Sequence, residues 1–136
     1  MMPPIQRQYT TRFEMFPKEA SMPKCVLIID RHLPVGLIAN ASAVLAMSVG
    51  ARIDGLIGED VCDRDGGNHR GITTIPVPLL QGDRASIRDL RHRLQAAPED
   101  ELFVVDFCEA AQRSRTYAEY RTRMQTAAAA DLNYLG

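Results

Sequence analysis

The stretch Lys24–Gly50, KCVLIIDRHLPVGLIANASAVLAMSVG, decides the fold. Cys25 to Ile29 is an unbroken apolar run rich in branched side chains, the pattern of a strand covered on both faces. Asp30, Arg31 and His32 break the run, and Pro34 suits the first turn of a helix, where its missing N–H costs nothing. The spacing predicts a helix over Val35–Val49 with Gly50 as its stop. Val35, Ile38, Ser42, Leu45 and Val49 would share its buried face. No charged residue falls between Leu33 and Ala51. Pro34, Gly36, Asn40, Ser42 and Ser48 nevertheless dilute a membrane-spanning reading. A helix packed on a sheet is expected instead, with Ala39, Ala41, Ala43 and Ala46 permitting close approach, and no membrane as partner.

Outward from that core, residues 1–23 carry four prolines and no periodic pattern. They read as a flexible leader or a mis-assigned start, with one α/β domain over 24–136. Arg52–Gly71 is rich in glycine and aspartate, with a strong turn signal at Asp65-Gly66-Gly67-Asn68. Its Asp63-to-Gly66 piece lacks the ligand spacing of a calcium loop. Ile72–Leu80 is apolar, and Pro76 and Pro78 make it an edge strand. Asp83–Ala97 is expected to be a surface helix with Asp83 or Ser86 as cap and Ile87, Leu90 and Leu94 as its apolar stripe. Arg84, Arg88, Arg91 and Arg93 are expected on solvated faces. Leu102–Val105 is a second buried strand ending at Asp106. Two short helices or one broken helix should follow, then a strand beginning at Asp131. The order is that of an α/β sandwich on a mixed four-stranded sheet flanked by helices.

Composition sets outer bounds. The chain has 136 residues, 46% of them apolar, and a formal net charge of −1. That suffices for one domain with a core and supplies no global basic field for nucleic acid. Three cysteines without paired spacing do not make a disulfide framework. No secretory signal is visible, so the expected compartment is cytoplasmic. No nucleophile elbow, phosphate loop or dinucleotide fingerprint occurs. Cys62 and His69 are too few ligands for a metal site, and no cofactor is implied.

The succession of DRHLPVGLIANA, DRDGGNHRGI, Pro76–Leu80, Val104-Val105-Asp106 and DLNYLG resembles an uncharacterised bacterial family, domain of unknown function two thousand. The resemblance spans Lys24–Gly136 and implies the fold of the type II peptidyl-tRNA hydrolases. Those enzymes carry a Lys directly after a Gly at the first helix, and an Asp followed four residues on by Thr. Here Gly36 and Asp106 match, but Leu37 and Ala110 occupy the Lys and Thr positions. Leucine neither binds phosphate nor polarises a carbonyl, so the hydrolase activity does not transfer with the fold. The resembling families continue the last strand and add a terminal helix, so this chain reads as lacking them. An open sheet edge would invite a homodimer.

Strand ends are where ligands bind in such folds. The expected site therefore joins Asp106 and His32 as catalytic candidates with Asp30, Gly36, Asn40 and His69 as ligand-binding ones. Asp106 has a second reading, as cap of the following helix. The function expected is a diverged binding protein for a small molecule or an RNA end. Alternatives are a diverged hydrolase using Asp106 and His32, and a protein–protein interaction domain.

Overall fold

A computed structural model describes residues 23–98 and 101–136. The leader reading, apart from Pro23, lies outside the described residues. The chain folds as a mixed α/β domain. Strand β1 (Leu27–Asp30) leads into helix α1 (Val35–Gly50), followed by a hairpin of β2 (Val61–Cys62) and β3 (Asn68–His69). Strand β4 (Leu79–Gly82) and helix α2 (Arg84–Leu94) come next, then α3 (Glu109–Gln112) and α4 (Tyr117–Thr126). A single 3-10 turn covers Ala129–Asp131.

β1 and β4 pair in parallel, Leu27 opposite Leu79 through Asp30 opposite Gly82. On its other edge β1 meets the chain's last residues, where the Asp30 N–H donates to the Leu135 carbonyl at 2.8 Å. Leu135 and Gly136 in turn bond Phe107, and Cys108 bridges Tyr134 antiparallel. Four segments thus lie side by side, in the order β4, β1, Tyr134–Gly136, Leu102–Cys108. Among the described residues the only continuous ladder in this group is β1–β4. The expected four-strand sheet is reduced because Leu102–Phe107 joins no ladder, and only Cys108 after it bridges Tyr134.

Side-chain alternation along β1 assigns the two faces. Leu27 and Ile29 pack with Ala41 and Leu45 of α1, together with Phe107 and Leu135. Ile28 points the other way, against Ile87 of α2, Cys108 and Tyr134. The sheet is therefore sandwiched between α1 and α2.

The α1 register departs from the expected one. Its buried residues are Ala41 and Leu45, while Val35 is 83% exposed. Ala41 has no accessible surface, and its small side chain lets the helix backbone approach β1. Gly50 belongs to the helix, which ends at Ala51 in a right-handed conformation, so no left-handed glycine stop is used. Pro34 stands at the N-cap, just before the first turn in which it was expected, with an extended ψ of 147°. The edge-strand expectation holds in position but shifts in span: pairing begins at Leu79, after Pro78, whose carbonyl accepts from Leu27.

The glycine-rich segment is held by its aspartates. The Asp63 carboxylate accepts from the N–H groups of Asp65 and Gly67, and Gly66 takes a positive φ of 88°. Asp60 accepts from the Gly71 N–H and pairs with Arg70. Gly71 runs against Gly58, where a Cβ would lie 1.8 Å from the Gly58 carbonyl oxygen. Backbone cannot yield as a side-chain tip can. Gly71→Ala is expected to destabilise the protein by about 1–3 kcal/mol. Urea unfolding should show it, with Gly50→Ala as the comparison variant, since nothing lies within 4 Å of a Cβ there.

Candidate functional site

Helix α2 places three arginines over the carboxyl ends of the sheet segments. Arg84, Arg88 and Arg91 recur at helical spacing on one face. Arg84 Nε donates to Asp30 Oδ2 at 3.0 Å, and its Nη1 donates to Glu109 Oε1 at 3.0 Å. Arg88 donates to the Asn133 side-chain oxygen at 3.0 Å and to the Leu132 carbonyl. Arg91 Nε donates to Asp106 Oδ2 at 2.7 Å. Asn133 closes the chain of contacts by donating to Glu109. These arginines are structural clamps, where sequence reading had placed them on solvated faces.

Asp30 is the buried member of this network, with no accessible surface. Its second oxygen accepts from the His32 backbone N–H at 3.0 Å, which also forms the turn out of β1. Arg84 is half exposed. Hydrogen bonding to Asp30, opposed by partial desolvation and aided by the charge of Glu109, raises the already high pKa of its guanidinium. Asp83 caps α2 through the Ser86 N–H at 2.8 Å. That bond, the Ser86 hydroxyl and the charge of Arg31 hold its carboxyl below the ordinary value of 3.8.

The expected site residues do not form one cluster. Asp30 is consumed by Arg84 and the turn. The His32 side chain is exposed, as are Gly36 and Asn40 on the first turns of α1. The His69 ring bonds Asp63 at 3.0 Å, within its own hairpin. Asp106 does not cap a helix: α3 starts at Glu109, and Asp106 turns to Arg91 instead. Among the described residues, no three His, Cys, Asp or Glu side chains gather as metal ligands.

The principal cavity lies elsewhere, between β1 and the Leu102–Asp106 segment. It has a volume of about 680 Å³. Leu45, Val49, Ile53 and Leu56 line it on the α1 side, and Ile87, Leu90 and Leu94 on the α2 side. Asp106 and Arg91 stand in its wall, already paired, and Gly136 lies at one end. Of the expected site residues, Asp106 alone borders this slot. The slot had one sequence signal, the two charge-free runs Cys25–Ile29 and Leu102–Val105. That they face one cavity was not legible.

Fold and site together define a small mixed α/β domain with an apolar slot in its sheet and a charge network at its strand ends. The profile described as "Protein of unknown function (DUF2000)" matches residues 23–136, and the chain belongs to that family. A solved structure, that of the protein of unknown function Atu0240 from Agrobacterium tumefaciens strain C58, is similar in fold. Its TM-score is 0.71 at 18% identity, over 81% of this chain and 79% of that one. No curated protein matches.

Two outcomes follow from the clamp. Arg84→Met leaves the buried Asp30 carboxylate without its cation and should cost about 2 kcal/mol, less than a fully buried pair because Arg84 borders solvent. Adding Asp30→Asn should recover part of that loss in urea unfolding. The second concerns pH. Because Asp83 has a depressed pKa in the folded state, its cap stabilises α2 above the ordinary carboxylate range. The contribution disappears as pH falls through the depressed value. Acid titration by amide exchange should therefore show α2 opening from its first turn, and Asp83→Ala should remove that pH dependence.

Proposed function

We propose that this protein is a non-catalytic binding domain whose ligand occupies the apolar slot, on a sheet of the type II peptidyl-tRNA hydrolase-like kind. The four adjacent segments, with β1 and β4 parallel and Cys108 and Tyr134 bridged antiparallel, support that sheet as a diverged version. The carrying observation is the slot's lining. Its walls are mostly apolar, with Lys24 and Glu101 at its border, and the Arg91 guanidinium and Asp106 carboxylate there neutralise one another. Such a surface favours an apolar ligand over an RNA end, which needs unpaired cations for its phosphates.

The pairing of Asp106 also weighs against the hydrolase alternative. A general base must reach the proton it removes, and Asp106 is bonded to Arg91 rather than to His32. Leu37, which stands where the hydrolases carry lysine, offers no polar group. Asp106 is better read as the positioning partner of Arg91 at the slot's rim.

An anilinonaphthalene sulfonate dye should bind saturably to the folded protein. Leu94→Asp on the α2 wall should weaken it about tenfold with unfolding stability little changed, since one apolar contact is lost to a partly exposed charge. Labelled N-blocked aminoacyl-tRNA should remain intact under the same conditions. Turnover lost in Asp106→Asn would restore the hydrolase reading.

A further inference from the structure

Strand β4 forms the border of the sheet on the side away from Tyr134–Gly136. Its backbone parity is fixed by β1: the Pro78 and Gly82 carbonyls accept from the Leu27 and Arg31 N–H groups. Even-numbered residues of β4 thus turn their main-chain groups inward, and in a parallel ladder the intervening ones turn theirs outward. Leu79 and Gln81 therefore present both N–H and C=O to the free edge, where no main-chain partner meets them among the described residues.

Sheets ordinarily blunt such an edge with charge, proline or a bulge. None of these serves here. No charged residue lies between Arg70 and Asp83. Pro78 has the inward parity, so the N–H it lacks is missing from the β1 side and not from the edge. The register with β1 runs unbroken from Leu79 to Gly82. Leu79 is 46% exposed and Leu80 52%, on opposite faces of the strand. On the α2 side a recess of about 360 Å³ adjoins the edge, lined by Ile28, Leu80, Ser86, Ile87 and Leu90 among others.

We propose that the β4 edge pairs antiparallel with the β4 edge of a second copy of this chain, about a two-fold axis at Leu80. Phase supports this partner. The outward residues Leu79 and Gln81 lie symmetrically about Leu80, so the axis sets Leu79 opposite Gln81 of the second copy, and the reverse. Both pairings are of the hydrogen-bonded kind, giving roughly four main-chain bonds. Leu80 then meets its own counterpart in the close pair between them, beside the recess, and covers its exposed face. On the opposite face the aliphatic stem of Gln81 lies against Leu79 while its amide reaches water. Charge agrees as well. At the end of the strand Arg31 and Asp83 already pair at 3.3 Å, so no unpaired like charges meet across the axis. A lone peptide would make the same main-chain bonds, whereas a second copy also brings its α2 to the contact. The apolar slot, on the far side of β1, takes no part.

The test uses the full chain. Light scattering across a dilution series reads the mass, and amide exchange is followed at Leu79 and Gln81. A dimeric mass should give way to a monomeric one on dilution, and both amides should lose their protection with it. Gln81→Pro removes one outward N–H per copy and leaves the β1 ladder intact, so the dissociation constant should rise about a hundredfold. Leu80→Lys and Leu80→Glu each place like charges on the axis. Either variant alone should be monomeric, and an equimolar mixture of the two should dimerise. A mixture that stays monomeric, while Gln81→Pro does break the wild-type dimer, overturns the axis at Leu80. A dimer indifferent to Gln81→Pro overturns the β4 edge as its interface. A wild type that is monomeric at every concentration overturns the second copy. Fast exchange at Leu79 and Gln81 then means an open edge, and slow exchange means that the same chain covers it. If Gln81→Pro fails to fold by circular dichroism, wild-type exchange at the two amides and the mixed Leu80 variants decide by the same criteria.

Discussion

A buried carboxylate is the constraint on which the arrangement of layers depends. Asp30 ends β1 with no access to water. A charge in that position requires a cation and hydrogen-bond donors within reach. The His32 N–H comes from the turn that β1 makes anyway. The cation must come from another element, and it comes from the first residue of α2. This one pairing sets α2 against the strand end. Once Arg84 is fixed, the helical repeat carries Arg88 to Asn133 and Arg91 to Asp106. The same helix consequently ties together β1, the chain's last residues and the Leu102–Cys108 segment.

That arrangement explains how an incomplete ladder keeps its spacing. Few main-chain bonds join the Leu102–Cys108 segment to its neighbours, and they cluster near Phe107. Beyond them, the Arg91–Asp106 pair anchors the segment from the α2 side. Phe103 packs on the opposite side with Ile53, Leu56 and Ile75. The two walls of the slot are thus held from opposite sides. Burial also raises the pKa of the Cys25 thiol on the slot's wall.

Much of the element order was legible because it rests on local chemistry. The β1 run, the helix start near Pro34, a cap at Asp83 or Ser86 and a broken or double helix after Asp106 all depend on neighbours in sequence. The α1 face was misplaced because an uncharged helix has no polar side to orient it; Ala41 and Val35 differ in burial through shape, not polarity. The arginines of α2 were misjudged for a related reason. Their spacing at 84, 88 and 91 places them on one face, but their partners lie 54, 45 and 15 positions away. No local pattern announces such distances. Asp106 was found, since a carboxylate ending an apolar run is conspicuous, while its partner and therefore its role were not.

The chemistry available at the strand ends follows from who holds each charge. A catalytic carboxylate needs a free lone pair directed at substrate, and a phosphate site needs cations not already neutralised. Here Asp30 and Asp106 are each engaged by an arginine of α2, and Glu109 is shared between Arg84 and Asn133. Polar groups at these strand ends are committed to one another, whereas the walls of the slot beside them are mostly apolar. With the charged side chains paired, the slot proposed above as a binding site is bordered chiefly by apolar side chains.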